Sequence, residues 1–396
     1  MAGRRCPLAQ PGVQEKKRGV QVTQGASIES DGRTSKLLGL ELVRFACAMT
    51  VLVWHYQHFA MVGGGGAAQR PHEPLGLLLW PLYHFGLFGV QIFWCISGFI
   101  FYWKYSDAIA ARLVEPKRFF WLRFSRLYPL HFATLLIVAA LQPIHVALAG
   151  EPFVYQDNGI GNFLRQLALA DQWVGPRDYS FNGPIWSVSA EVSVYVLFFM
   201  LLRNFGKSRL LILAAIALSL NSLWSGHTSP TLICGGYFFA GGAAAEWMKS
   251  ARAQSRPREA IVLALAWIAA VAAVAVVTGL DRTSPITPTW LMAICPPFLF
   301  LAARDLPALN RWQAPIQAAG NLTYSTYLIH FPLQLTIAIA ALAGGFALPL
   351  DQPWFLLAYL AATIILGRIV FVRFEAPVQN LIRAATLTRR SERAAA

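Results

Sequence analysis

The chain has 396 residues, of which 56% are hydrophobic and only 13% are charged, whereas soluble globular domains carry about 25% charged residues. This composition excludes an ordinary soluble domain. Lys and Arg number 33 against 19 Asp and Glu, so the net charge is +14. Such a surplus suggests a nucleic acid or a membrane as the partner.

Ten apolar segments dominate the chain after Lys36. At about 20 residues for each crossing of a bilayer, they predict an all-α, polytopic membrane protein with about ten transmembrane helices. This membrane domain is predicted to occupy residues 37–375. The predicted spans are 37–59, 84–103, 127–149, 187–202, 209–224, 230–248, 260–279, 288–303, 322–342 and 353–372.

The basic residues lie almost entirely on one side of this predicted topology. Counted loop by loop, 28 of the 33 Lys and Arg residues share the side of the N-terminal segment, and Arg44 lies inside the first span. The opposite side holds only Arg70, Arg165, Arg177 and Arg282. Because cytoplasmic loops carry the excess of Lys and Arg, both termini are predicted to be cytoplasmic. The lipid bilayer therefore explains the charge, and no nucleic-acid partner is expected.

The two ends of the chain lie outside the predicted membrane domain. Residues 1–36 are polar and basic and lack the apolar core of a signal peptide. They are predicted to form a disordered cytoplasmic tail, so that the first span is an uncleaved anchor. Residues 376–396 are predicted to form a second cytoplasmic tail.

Arg44 and His55 are ionisable residues of the first predicted span. They are eleven residues apart, close to three helical turns, so both side chains share one face about 16 Å apart along the axis. Ionisable residues in spans tend to be functional, which predicts a fixed cation near the cytoplasm and a titratable base near the outer side. The alternatives are that Arg44 reaches the interface and that His55 is a core histidine.

A pair of arginines, Arg123 and Arg126, stands at the cytoplasmic entry of the third span. Their i, i+3 spacing places both on one helix face, and two planar guanidinium groups suit bidentate binding of phosphate. The positive-inside rule also explains arginines at this position.

The fourth and ninth spans also contain polar residues. Glu191 is the only acid in the fourth span, and a carboxylate inside a membrane needs a partner, for which Arg44 or a histidine is a candidate. In the ninth span, the role of His330 stays open between catalysis, substrate contact and helix packing.

Six motifs in this order resemble the acyltransferase-3 family of membrane acyltransferases, over a region from about Gly39 to Arg383. They are Arg44 and His55 with ten residues between them, Arg123-Phe-Ser-Arg126, Phe93-Trp-Cys-Ile-Ser97-Gly98-Phe99, Trp186-Ser187-Val-Ser-Ala-Glu191, Tyr324-Ser-Thr-Tyr327-Leu-Ile-His330-Phe-Pro332 and Phe374-Glu375-Ala-Pro377. Val192 stands where the family commonly has a second Glu. Some relatives carry a fused esterase-like domain, and this chain resembles the stand-alone form.

The resemblance implies transfer of an acyl group, usually acetyl, from cytoplasmic acyl-coenzyme A to a hydroxyl of a carbohydrate or glycoconjugate. The expected location is the inner membrane of a bacterium, with the acceptor at or beyond the outer side. On this hypothesis the donor-binding residues are Arg44, Arg123 and Arg126. His55 is the general base, and Glu191 orients its imidazole. The residues expected to contact the acceptor are Trp186, Ser187, Tyr327 and His330.

A transporter or flippase for a glycan or lipid-linked sugar is the main alternative, because it would also need ten spans and buried polar residues. It predicts substrate movement without thioester cleavage. A membrane sensor or scaffold, in which the motifs only pack helices, is a weaker alternative. No metal cofactor is expected, since the five cysteines lack metal-binding spacing and are predicted to be small core residues.

The outer loops 60–83 and 150–186 are the natural place for selection of the acceptor. Their aromatic residues could stack on sugar faces, although an interfacial aromatic belt explains such residues equally well. These residues are Trp80, Tyr155, Trp173 and Tyr179. The identity of the acceptor, the acyl chain, the oligomeric state and the choice between direct transfer and an acyl-enzyme all stay open.

Overall fold

The structure is a computed structural model that describes residues 37–62, 73–173, 179–281 and 283–388. All regular secondary structure in these ranges is helical. The helices are α1 (Leu38–His55), α2 (Gly76–Phe85), α3 (Gly89–Ala110), α4 (Pro116–Ala149), α5 (Ile160–Leu167), α6 (Ile185–Phe205), α7 (Arg209–Trp224), α8 (Pro230–Lys249), α9 (Ala251–Ser255), α10 (Pro257–Thr278), α11 (Ile286–Ala302), α12 (Pro307–Asn310), α13 (Gln313–Gly344), α14 (Pro353–Val370) and α15 (Ala376–Arg383). A short 3₁₀ segment, Tyr56–Met61, continues α1, and a π-helical turn, Phe371–Glu375, joins α14 to α15.

Each of the ten predicted spans overlaps a helix. Within the described ranges, seven helical segments are long and apolar enough to cross a membrane, namely Leu38–Met61, Gly76–Ala110, Pro116–Ala149, Ile185–Phe205, Pro257–Thr278, Gln313–Gly344 and Pro353–Thr386. The apolar helices α7 and α11 are shorter. An all-helical membrane protein is thus confirmed, while the count of ten spans and the location of the termini stay predictions.

The two predicted tails are described to different extents. The first part of the C-terminal tail is helical, because α15 begins at Ala376 and a π-helical turn continues it to Thr388. The predicted N-terminal tail, residues 1–36, lies outside the described residues.

Glycines allow α3 and α8 to pack with their backbones in contact. A Cβ atom on Gly98 would lie 1.7 Å from the carbonyl oxygen of Phe238, and one on Gly241 would lie 1.8 Å from the carbonyl oxygen of Cys95. Small residues permit such close approach in membranes, where van der Waals packing holds helices together. The motif that contains Gly98 therefore has a packing role.

The cysteines of the described chain are core residues, as predicted. Cys47, Cys95, Cys234 and Cys295 are buried free thiols. Cys6 lies outside the described residues.

The packing of α1 brings the predicted site residues into the interior. This helix packs against α3 on one side and α13 on another, and α13 also packs against α4. The helices that carry Arg44, Arg126 and His330 are therefore neighbours. Helix α6, which carries Glu191, packs against α3.

Candidate active site

Three histidine side chains meet where α1 ends against α13. The ring centroids of His55 and His330 are 4.7 Å apart, and those of His55 and His58 are 4.8 Å apart. His330 is fully buried, whereas His55 keeps 7% of its surface exposed and His58 keeps 5%. We call these three residues the histidine cluster. In the part of the chain that the structure describes, no group of His, Cys, Asp or Glu side chains is placed to hold a metal ion.

Backbone carbonyl groups orient two of these rings. Nδ1 of His55 lies 2.9 Å from the carbonyl oxygen of Val51, and Nδ1 of His330 lies 2.6 Å from that of Tyr327. Because a carbonyl oxygen only accepts hydrogen bonds, Nδ1 carries the hydrogen in both rings, and Nε2 keeps its lone pair in the neutral form. His55 therefore presents a basic nitrogen away from its own helix.

Pro332 determines how the loop before α6 is attached beside His330. Proline has no backbone N–H, so the carbonyl oxygen of Leu328, four residues earlier, lacks its helical partner. That oxygen accepts a hydrogen bond from Asn182 Nδ2 at 3.3 Å, and the same amide group donates to Thr134 Oγ1 at 3.1 Å. The loop that leads into α6 is thus tied to both α4 and α13.

Two of the predicted acceptor-contact residues, Ser187 and Tyr327, adjoin the histidine cluster. The Tyr327 hydroxyl lies 2.8 Å from Ser187 Oγ and donates to the carbonyl oxygen of Pro184, also at 2.8 Å. The Tyr327 and His330 ring centroids are 5.8 Å apart. The structure therefore brings Ser187, Tyr327 and His330 together.

A row of aromatic rings leads away from His58. Successive ring centroids are 5.8 Å apart from His58 to Tyr155, 6.0 Å to Tyr179, 5.8 Å to Trp186 and 5.5 Å to Trp94. Burial raises the pKa of the Tyr155 and Tyr179 hydroxyl groups, so both side chains are neutral at physiological pH. Trp186 thus belongs to this row, together with two of the predicted outer-loop aromatics.

The other two outer-loop aromatics have different partners. Trp80 stacks on His84, with ring centroids 4.6 Å apart. Trp173 donates from Nε1 to the carbonyl oxygen of Ser189 at 3.1 Å.

Arg44, Arg123 and Arg126 form a second group, which we call the arginine cluster. Arg44 and Arg123 both lie within electrostatic reach of Arg126. Arg44 pairs with Glu41 at 2.9 Å and donates from Nη2 to Thr323 Oγ1 at 3.2 Å. Thr323 belongs to α13, so Arg44 links α1 to that helix.

Arg126 is held in an ion pair by Glu375, a residue of the last motif. Glu375 is 3% exposed and also accepts a hydrogen bond from Ser325. The Arg126 guanidinium lies 5.3 Å from the ring centroid of Tyr324. Arg126 therefore connects three sequence motifs, and its charge is already compensated.

Arg123 has only neutral partners at bonding distance. It donates from Nη2 to the Tyr105 hydroxyl at 3.0 Å, and its guanidinium lies 4.8 Å from the ring centroid of Phe101. Its Nε is buried without a hydrogen-bond partner. Among the described residues no carboxylate forms an ion pair with Arg123, which leaves this cation available for an anionic ligand.

Glu191 lies beside the arginine cluster and is not joined to the base. Its carboxylate accepts a hydrogen bond of 2.6 Å from Tyr195, whose hydroxyl lies 3.0 Å from Ser97 Oγ, and it is within electrostatic reach of Arg123. No hydrogen bond links Glu191 to His55 in the described chain. The expected orientation of the imidazole by this carboxylate is therefore not formed. The physical reason is that Tyr195, one turn along α6, satisfies the carboxylate locally.

The sequence prediction missed two residues of the histidine cluster region, His58 and Gln334. Gln334 donates from Nε2 to the carbonyl oxygen of His55 at 2.8 Å, and its Oε1 lies 3.1 Å from Nδ1 of His58. Helical spacing offers a signal for both residues, because His58 follows His55 by three positions and Gln334 follows His330 by four.

The fold and the site define a helical membrane protein with a buried histidine cluster at the end of α1 and a half-buried arginine cluster between α1 and α4. A family model described as an acyltransferase domain matches residues 37–372. The chain belongs to this family, acyltransferase-3, and the predicted resemblance is confirmed.

One curated relative is Acyltransferase MdmB of Streptomyces mycarofaciens. This protein is 26% identical to the chain over 172 residues, which are 42% of the chain and 39% of the relative. The match thus spans about two fifths of the length of that relative. No solved structure matches the chain.

Proposed function

We propose that the protein transfers an acyl group, most simply acetyl, from cytoplasmic acyl-coenzyme A to a hydroxyl of a carbohydrate or glycoconjugate. The observation that carries this proposal is the hydrogen bond from His55 Nδ1 to the carbonyl oxygen of Val51. It holds the ring so that Nε2 is the free, basic nitrogen. Membership of an acyltransferase family supports thioester chemistry over the transporter alternative.

His55 acts as the general base in this mechanism. Nε2 accepts the proton of the acceptor hydroxyl while the oxygen attacks the thioester carbonyl carbon. The tetrahedral intermediate then expels coenzyme A as a thiolate, and the imidazolium of His55 returns its proton to the sulfur. The products are an ester and free coenzyme A, and no net proton is released.

Arg123 is the main contact for the donor in this proposal. A coenzyme A phosphate can form charge-assisted hydrogen bonds with its guanidinium without first breaking an ion pair. Arg44 supports the same anion from α1 while it stays anchored to Glu41 and Thr323. Arg126 contributes its field to the donor site but mainly holds Glu375 and α13 in place.

The acceptor enters from the histidine end of α1. Ser187, Tyr327 and the aromatic row from Tyr155 to Trp186 are the groups near His55 that can contact a hydroxylated ring. The distribution of Lys and Arg supports cytoplasmic termini and hence an inner-membrane enzyme that carries the acyl group across the bilayer along α1.

The test uses the purified full-length protein in lipid nanodiscs with acetyl-coenzyme A and a glycan extract as acceptor. Free thiol and ester-linked acetyl are measured together. We expect both to appear in equal amounts and to depend on His55. Movement of the glycan without release of thiol would establish the transporter and contradict the proposal.

A further inference from the structure

His58 and Gln334 have no part in the mechanism above, although both are built into the histidine cluster. Gln334 is fully buried. Its amide orientation is determined, because only Nε2 can donate to the carbonyl oxygen of His55, at 2.8 Å. Oε1 therefore faces His58 Nδ1 at 3.1 Å and must accept from it. Like His55, His58 carries its hydrogen on Nδ1 and its lone pair on Nε2.

His55 and His58 thus present the same kind of nitrogen beside each other. Their ring centroids are 4.8 Å apart, and both side chains keep some exposed surface, 7% and 5%. The third ring differs, because His330 is fully buried and its Nε2 is enclosed without a partner. The cluster therefore has two hydrogen-bond acceptors on side chains that keep some exposed surface.

We propose that His58 binds a second hydroxyl of the acceptor, on the carbon next to the hydroxyl that His55 deprotonates. The acceptor is then a vicinal diol, as found in polyols and sugar rings. This inference rests on the proposed function. Hydrogen bonds of about 2.8 Å from two neighbouring hydroxyl groups can reach two imidazole rings at the observed separation.

Gln334 is the positioning residue for this pair. Its single amide group bonds both to the backbone carbonyl of His55, where α1 passes into the 3₁₀ segment, and to the side chain of His58. It thereby fixes the position of the base relative to the hydroxyl-binding nitrogen. A site built to accept a hydrogen bond from a hydroxyl discriminates against analogues that lack that hydroxyl, so the pair provides specificity and not only affinity.

The test compares cis-cyclohexane-1,2-diol with cyclohexanol as acceptors of acetyl from acetyl-coenzyme A. For the wild-type protein we expect a KM for the diol about tenfold below that for the mono-alcohol, as expected for one additional hydrogen bond. H58A should raise the diol KM about tenfold and so abolish the preference for the diol over cyclohexanol. H58Q retains an accepting oxygen and should keep part of the preference, whereas Q334L should lose it.

H145A is the matched control. His145 is also a fully buried histidine whose Nδ1 faces a carbonyl oxygen, that of Glu151 at 2.9 Å, and its loss should leave the preference for the diol intact.

Equal KM values for the two alcohols in the wild-type protein would overturn the inference, and this comparison needs no variant to fold. A diol preference that persists in H58A would overturn it too, as would equal loss of kcat for both alcohols. If the wild-type protein acetylates its glycan acceptor but neither alcohol, the inference fails and the proposed function stands. If no acceptor yields free coenzyme A, the proposed function fails.

Discussion

The histidine cluster and the arginine cluster lie at opposite ends of α1 and are held by opposite kinds of partner. Neutral oxygens, from backbone carbonyl groups and from Gln334, orient the histidines. Carboxylates, from Glu41 and Glu375, hold two of the three arginines. Neutral acceptors fix the tautomer of an imidazole without charging it. Carboxylates offset the high cost of burying a cation in a membrane.

The kind of partner also divides the three arginines into two groups. Arg44 and Arg126 have their charges compensated within the protein, so their loss leaves a carboxylate without its partner. Arg123 bonds to a tyrosine hydroxyl and lies over aromatic rings. When it is lost, the nearby Glu191 carboxylate keeps its hydrogen bond from Tyr195 and stays within electrostatic reach of Arg44. Substitutions should therefore affect different quantities. Loss of the histidine base should change kcat, loss of a compensated arginine should change stability, and loss of Arg123 should change the KM for the donor.

The largest effect is expected from H55A, which removes the base and leaves the arginine cluster unchanged. We expect kcat for acyl transfer to fall by about 10²- to 10⁴-fold, the usual contribution of general base catalysis. The KM for the donor should stay close to the wild-type value. H84A is the control, because His84 stacks on Trp80 outside the cluster. Transfer by H55A at the wild-type rate would remove His55 from the mechanism.

R126A should mainly reduce stability. It leaves the Glu375 carboxylate, which is 3% exposed, as an unpaired buried charge, and breaking such a pair costs about 3–5 kcal/mol. The measurement is unfolding in detergent followed by tryptophan fluorescence. The double variant R126A/E375Q removes the unpaired charge and should regain much of the loss. A double variant that is no more stable than R126A would show that the ion pair is not what holds the two residues in place.

Much of the fold could be predicted from the sequence, because long apolar runs bounded by basic loops specify helices directly. The number of spans could not. Helices α7 and α11 are apolar but short, and α8 has 20 residues but is not among the seven segments that are long and apolar enough to cross. The shared face of Arg44 and His55 also follows from the helical period, because one uninterrupted helix carries both.

The partners in the site were harder to predict. Glu191 was expected to need a partner, and the tyrosine four residues later supplies it, so this contact was open to helical reasoning. The pairing of Arg126 with Glu375 depends on how α4 packs near the end of α14, which no local pattern encodes. The role of Gln334 likewise arises only when α13 packs against the end of α1.

R123A should weaken binding of the donor with little effect on stability. A hydrogen bond to a charged group contributes about 1.5–3 kcal/mol, so we expect the KM for acetyl-coenzyme A to rise about 10- to 100-fold. R203A is the matched control, because Arg203 also lies over an aromatic ring, that of Phe199, and bonds to a backbone carbonyl oxygen. A loss of stability as large as in R126A, with an unchanged KM, would contradict the division of the arginines.

The smallest effect is expected from T323V, which tests whether the compensated arginines still act on the donor. Valine has nearly the shape of threonine but cannot accept the 3.2 Å hydrogen bond from Arg44 Nη2, so Arg44 keeps Glu41 and loses its link to α13. One such bond is worth about 0.5–1.5 kcal/mol, which predicts a donor KM about 2- to 10-fold higher with kcat unchanged. T336V is the control on the same helix, because the Thr336 hydroxyl bonds within its own helix, to the carbonyl oxygen of Pro332. If kcat falls while the donor KM holds, Arg44 acts on the reacting thioester rather than on the coenzyme A phosphates. The residues that act on the reacting thioester would then extend from the histidine cluster to Arg44, closer to the predicted cytoplasmic end of α1.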